Sequence, residues 1–212
     1  MSTTRALHAE SSRSASSTRA SAGSSSLSAT NRQPRACGLR APGERAVAAK
    51  LDALIGEHVA ALHDRRLRRS DGSLSKANID HLAVTPSGVW VIDAKTHQGS
   101  LEVRRNEGLF SPRVEALYIN GRDQTRLVHG LVKQVDAVRR ELSAVEASIA
   151  VHGALCFVGT ELPWFGSSSS MAGVPLVGRR GLAKLLLRPG DVETADREAV
   201  AAFLDQRFPP AA

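Results

Sequence analysis

At 212 residues the chain is long enough for one domain with a sizeable core plus appendages. No apolar run approaches the roughly 20 residues that span a bilayer, which excludes a membrane-spanning helix. The only two cysteines, Cys37 and Cys156, form no disulfide or metal framework, so a reducing cytoplasm is the expected setting.

The formal charge of +7 divides unevenly. Residues 1–40 hold six arginines against Glu10, or +5, which leaves 28 − 6 = 22 bases against 21 − 1 = 20 acids, or +2, for residues 41–212. That first segment is dominated by Ser, Thr, Ala and Arg and cannot bury enough apolar surface to offset chain ordering, so a disordered tail is expected over 1–40. Its functional alternative is a weak electrostatic arm on nucleic acid. The composition also suits an organelle transit peptide, but no amphipathic stripe accompanies it.

From Gly43 to Leu62, Val47, Leu51, Leu54, Ile55, Val59 and Leu62 fall at helical spacing, and Pro42 suits the start of that helix. Glu44 lies in its first turn, where a carboxylate favours the positive end of the helix dipole. His58 and His63 flank the helix end, and the stretch through Leu67 is expected to become the first strand. Arg65, Arg66, Arg68 and Arg69 follow, with Lys76 in the next loop. They read either as a solvated strand end or as phosphate contacts, since the guanidinium fork matches phosphate oxygens.

The stretch Asn78 to Gly99 reads as a hairpin. Thr85-Pro86-Ser87-Gly88 has Pro and Gly where a type I turn favours them, with β-rich runs on both sides. Pairing Thr85 with Gly88, or Val84 with Val89, places Asp80 opposite Asp93, and alternation puts Lys95 on the same face. Both faces are mostly apolar, so these are expected to be central strands. Two facing carboxylates are destabilising and costly to bury, so a hard divalent cation, Lys95 or water must satisfy them. Alternation turns His81 to the other face, as a core histidine bonded to backbone or a neighbouring acid.

Beyond Gly99, Leu101 to Arg105 alternates as a strand, Tyr118 to Asn120 is a further short one, and Gly121 ends the sheet pattern. From Arg122 to about Val145, Leu127, Val128, Leu131, Val135, Val138 and Leu142 form a helical stripe bordered by Gln134. Ile149 to Gly159 reads as a buried strand containing Cys156. A loop with Trp164 and Phe165 follows, anchored on the core or stacking on a base. A last strand over Val174 to Val177 and helices over Gly181 to Leu187 and Thr194 to Phe208 close the chain. No Walker loop, GxSxG elbow or CxxC pair is present in the sequence, which removes P-loop hydrolysis, serine-elbow acyl transfer and zinc fingers.

Gly43-Glu44, Ile79-Asp80-His81 and Val91-Ile92-Asp93-Ala94-Lys95 with Gly99 after them resemble the NERD (nuclease-related) domain, a branch of the PD-(D/E)xK restriction-endonuclease-like superfamily. The resemblance covers roughly Gly43 to Gly159. It implies an α/β fold with a mixed central sheet flanked by helices, and metal-dependent phosphodiester hydrolysis of nucleic acid, DNA first. It implies Asp80 and Asp93 as ligands of Mg²⁺ or Mn²⁺, Lys95 as the catalytic lysine, Glu44 as an acid approaching the metal, and Gln134 or its rival Gln124 reaching the site from the helix. The family commonly carries Glu at the position of Asp93. The expected organisation is a tail over 1–40, a nuclease-like core over 41–160, and residues 161–212 completing the same domain. The alternative is a catalytically silent nucleic-acid-binding module, or a structural protein in which Lys95 neutralises the aspartate pair.

Overall fold

The computed structural model describes residues 42–56, 58–69, 71–106, 114–145, 147–161 and 170–211. The tail expected over 1–40, and Trp164 and Phe165, lie outside them. The described elements are α1 (Pro42–Asp52), β1 (Ala60–Arg68), β2 (Leu74–Thr85), β3 (Gly88–Asn106), β4 (Val114–Ile119), β5 (Arg122–Asp123), α2 (Thr125–Ser143), β6 (Val151–Glu161), β7 (Ser170–Met171), β8 (Val174–Gly178), α3 (Arg179–Leu186) and α4 (Thr194–Arg207).

The architecture is α/β, with one mixed sheet flanked by helices. Its order is β1-β2-β3-β6-β8-β7, and β4 and β5 branch from the far half of β3. β1, β2 and β3 are antiparallel, β6 lies parallel to β3, and β8 parallel to β6. The hairpin has the expected register, with Thr85 paired to Gly88 and Val84 to Val89. Gly88 is required there. Its φ is +122°, and a Cβ would come within 2.4 Å of the Ala150 carbonyl oxygen, where the start of β6 meets the turn.

Two apolar layers cover the sheet. On one face Leu82, Val84, Val91 and Leu155 pack with Val128, Leu131, Val135 and Val138 of α2 and with Val200 and Leu204 of α4. On the other, Ala83, Trp90, Ile92 and Cys156 pack with Val47 and Leu51 of α1 and Leu182 and Leu186 of α3. Each fully buried Leu or Ile contributes about 1.5–3 kcal/mol of transfer free energy. Burial pushes the Cys156 thiol up to about 12, so it packs as a small hydrophobe.

The first helix is shorter than its periodicity suggests. It ends at Asp52, and Val59 and Ala61 belong to the segment leading into and forming β1. Both are buried against Val47 and Leu51, while Ile55 is left exposed and Leu62 turns to the other face. The sheet also extends past Gly121, because Arg122 and Asp123 pair with Ile119 and Tyr118 as β5.

β1 is an edge strand, and the chain returns to cover it. Arg66 N–H donates to the Pro209 carbonyl at 2.8 Å, and Ala211 N–H to the Asp64 carbonyl at 2.8 Å. Phe208, fully buried, anchors this return.

Candidate active site

Asp80 and Asp93 stand where two strands part. The β2–β3 ladder runs from Thr85–Gly88 to His81–Ile92, and the two aspartates come next. Beyond that point β2 continues to pair with β1, through Ile79–Arg65 and Asn78–Arg66. β3 continues with β6, through Asp93–Leu155, Ala94–Cys156 and Lys95–Phe157. Each strand is therefore held on its outer side while the inner ladder opens. A buried N–H left by such an opening needs an acceptor. Ala94 N–H finds the Asp80 carboxylate, donating to Oδ2 at 2.9 Å.

Lys95 completes a trio. Its Nζ donates to Asp93 Oδ1 and lies 3.9 Å from Asp80 Oδ2. The side chains of Asp80 and Asp93 retain 17% and 9% of their exposure, against 27% for Lys95, so the charges face each other largely out of water. Burial, then a hydrogen bond and like charge from Asp93, push the Asp80 carboxyl up to about 8 even though Lys95 and the Ala94 N–H pull it down. Burial acts against charge on Lys95 too. There Asp93, Asp80 and Glu44 outweigh it and hold the ammonium above its ordinary range.

Glu44 reaches the site from the other face of the sheet. α1 begins against β3 so closely that a Cβ on Gly43 would fall 2.1 Å from Thr96 Oγ1, which explains the glycine before the acid. Glu44 is half-buried, and its charge is felt at Lys95. Among the described residues no three His, Cys, Asp or Glu side chains form a metal cage, so Glu44 is not gathered with the two aspartates as a third ligand.

Gln134 sits mid-helix in α2, on the face of the sheet that carries the trio. Its side-chain Oε1 is buried and, among the described residues, accepts no hydrogen bond, so it is not tied to Asp80, Asp93 or Lys95. Gln124 is the residue preceding α2, and its N–H donates to the Leu117 carbonyl at 2.7 Å.

The arginine cluster is largely engaged within the fold. Arg65 is buried, with Nη1 2.6 Å from Asp205 of α4. Arg66 donates to the Ser75 carbonyl, Arg68 to those of Arg207 and Gly72, and Arg69 to Ser73 Oγ and the Leu74 carbonyl. Lys76 is exposed.

His81 is fully buried on the face away from the trio. Its Nδ1 lies 2.9 Å from His63 Nδ1, and His63 Nε2 lies 2.9 Å from Asp52 Oδ1. A carboxylate only accepts, so a neutral His63 donates to Asp52 and accepts from His81. Desolvation, then the charge of His63, push His81 down to about 3, which keeps it neutral. The sequence offers His63 at the start of the expected first strand but no register of that strand against the hairpin, so the contact with His81 is not visible in it. The pairing His63–His81 across β1 and β2 is the signal that finds it.

The donor set suits a hard cation. Two carboxylates face one ammonium, and burial with the like charge of Asp93 disfavours ionising Asp80, so a further positive charge between them is favoured. Magnesium is commonly bound by one or two carboxylates plus water and substrate phosphate.

A family model for the nuclease-related domain matches residues 39–158, more than half of the chain. The chain belongs to the NERD, or nuclease-related domain, family. No curated protein and no solved structure matches it. Among the described residues no helix is long and apolar enough to cross a membrane.

Proposed function

We propose that this protein is a divalent-metal-dependent nuclease that hydrolyses the phosphodiester backbone of nucleic acid, with DNA the substrate to test first and the cytoplasm its setting. The observation that carries the reading is the convergence of Asp80, Asp93 and Lys95 at the opened ladder of a nuclease-related chain. Asp80 and Asp93 are the residues that would hold Mg²⁺ or Mn²⁺. When bound, the cation supplies Lewis-acid polarisation of the scissile phosphate and a lowered pKa for its water.

The chain's own residues do the rest. Lys95, kept cationic by Asp93, Asp80 and Glu44, donates to the attacking oxygen, aligns it, and stabilises the negative charge it gains. The Ala94 N–H fixes the Asp80 carboxylate so that it is already in place when substrate arrives. Gln134 is a candidate for orienting substrate from α2, and Glu44 for a further acidic contact. Arg66, Arg68, Arg69 and Lys76 are candidates for flanking phosphates, whereas Arg65 already faces Asp205.

The test is a cleavage panel of single- and double-stranded DNA and RNA, with Mg²⁺, Mn²⁺ or EDTA. The expected result is metal-dependent cleavage of at least one substrate, absent in Asp93→Asn. A wild-type protein that cleaves none of them with either metal removes the reading.

The direct Lys95–Asp93 contact favours a second reading, in which the trio neutralises itself and the domain binds nucleic acid without cutting it. Thermal shift separates the two, because a cation that binds the native state raises apparent stability. A melting temperature unmoved by Mg²⁺ and Mn²⁺ supports the silent module.

A further inference from the structure

The register carries one level across three strands. Lys95 of β3 pairs with Phe157 of β6, and Phe157 with Gly178 of β8. Neighbouring strands lie about 4.8 Å apart, so Gly178 sits about 10 Å from the backbone of Lys95. The carboxyl ends of parallel strands are where α/β sheets offer binding crevices. α3 begins at the next residue. α1 shows that a helix on this face reaches this edge, since Gly43 packs directly on Thr96, the residue after Lys95.

The charge of α3 is one-sided. Arg179, Arg180 and Lys184 lie within it and Arg188 just beyond, with no Asp or Glu before Asp191. All four are exposed, and among the described residues none pairs with a carboxylate. Elsewhere part of the positive charge is tied down. Arg65, Arg104, Arg105, Arg139 and Arg207 each face an acid, and Arg66, Arg68 and Arg69 donate to nearby backbone. The outer face of α2 also carries Arg126, Lys133 and Arg140, but these alternate with Asp136 and Glu141.

Spacing of four residues sets Arg180 and Lys184 in one row, about 6 Å apart along the axis, and Arg188 follows two residues past the helix end. Leu182, Leu185 and Leu186 anchor the other side of the helix in the core. Cations gathered on one rigidly backed helix that begins at the level of Lys95 suit the regular charge of a polyanion. We propose that α3 is a rail for the nucleic-acid backbone as it leaves the Asp80–Asp93–Lys95 site, with Arg179 and Arg180 on phosphates beside the reacting one and Lys184 and Arg188 farther along. The nature of the polyanion rests on the nuclease reading above.

The experiment measures anisotropy of a labelled DNA oligonucleotide, single-stranded and duplex, in EDTA across a salt series. It uses the full chain, an Arg179→Gln/Arg180→Gln/Lys184→Gln variant, and an Arg126→Gln/Lys133→Gln/Arg140→Gln control that removes the same charge from α2. The α3 variant is expected to bind about tenfold more weakly and to lose about 2–3 from the salt slope, while the control changes by less than about threefold. Equal losses in the two variants, or an α3 variant with unchanged affinity and slope, overturn the rail. Matching melting temperatures establish that the α3 variant is folded, and Arg179→Lys/Arg180→Lys is expected to keep most of the affinity. A wild type that cleaves DNA beside an α3 variant that binds and cuts normally removes the rail and leaves the nuclease. Selective loss in the α3 variant of a protein that never cuts keeps the rail and removes the nuclease.

Discussion

Asp80 and His81 are adjacent in sequence, point to opposite faces of β2, and belong to two polar networks that handle buried charge in opposite ways. Behind the sheet, charge stays outside: Asp52 is 45% exposed, and His63 connects it to a His81 that burial keeps neutral. In front, two carboxylates and an ammonium are held together largely out of water, and burial with the like charge of Asp93 raises the Asp80 pKa. The back network keeps its one carboxylate at the exposed end and buries only neutral rings. The front one has an unmet demand for positive charge, which is the property expected of a cation site and costly in a purely structural one.

The largest expected effect comes from cutting the front network. Asp80→Asn and Asp93→Asn should each remove Mn²⁺ binding in calorimetry and lower cleavage by at least about two orders of magnitude, while the fold survives. Unchanged Mn²⁺ affinity in both variants would sink the two-ligand site. Next is Lys95→Ala, expected to keep metal affinity and lose most turnover. If Lys95 instead serves only to neutralise the aspartates, its removal should cost about 3–5 kcal/mol in denaturant unfolding at neutral pH.

The two faces should also differ in the sign of their pH dependence. Asp80 moves from 3.8 unfolded to about 8 folded, so the native state binds the extra proton between them, and this contribution to stability falls as pH rises through that window. His81 moves from 6.5 to about 3, so the unfolded state binds the extra proton, and its contribution rises with pH over 3 to 6.5. Where the windows overlap, from 3.8 to 6.5, the two slopes oppose each other, and above 6.5 only the Asp80 loss continues. Metal-free melts of Asp80→Asn should therefore lack the decline between pH 6.5 and 8. A decline that persists in the variant assigns it to another group. The smallest effect is expected from Asp52→Asn, which weakens one partly exposed hydrogen bond. It should lower stability by about 1 kcal/mol and leave turnover almost unchanged. A large loss of cleavage there would mean that the two networks are coupled through β2.

Much of the front network was legible because it is local. The turn at Pro86-Ser87, period-two alternation and a register set by Thr85–Gly88 place Asp80, Asp93 and Lys95 together without any distant contact. The opening of the ladder was not legible, since it depends on β1 and β6 each holding its own neighbour. Arg65 shows the same limit. Its partner Asp205 lies on the last helix, and no local pattern separates a buried arginine from three neighbours that bond to backbone carbonyls. The helix drawn through Leu62 failed for another reason. Val59 and Leu62 satisfy helical spacing with Leu51 and Leu54, and only tertiary packing turns the segment after Asp52 toward a strand.

The return of the chain along β1 bears on how the molecule behaves among its own copies. An edge strand offers unpaired amides on which another chain could template a sheet. Here Arg66 and Asp64 are already bonded to Pro209 and Ala211, and the covering segment includes two prolines, which have no N–H to offer outward. The sheet is thereby closed to strand addition along this stretch of β1, a guard against aggregation supplied by three residues far in sequence from the edge they protect.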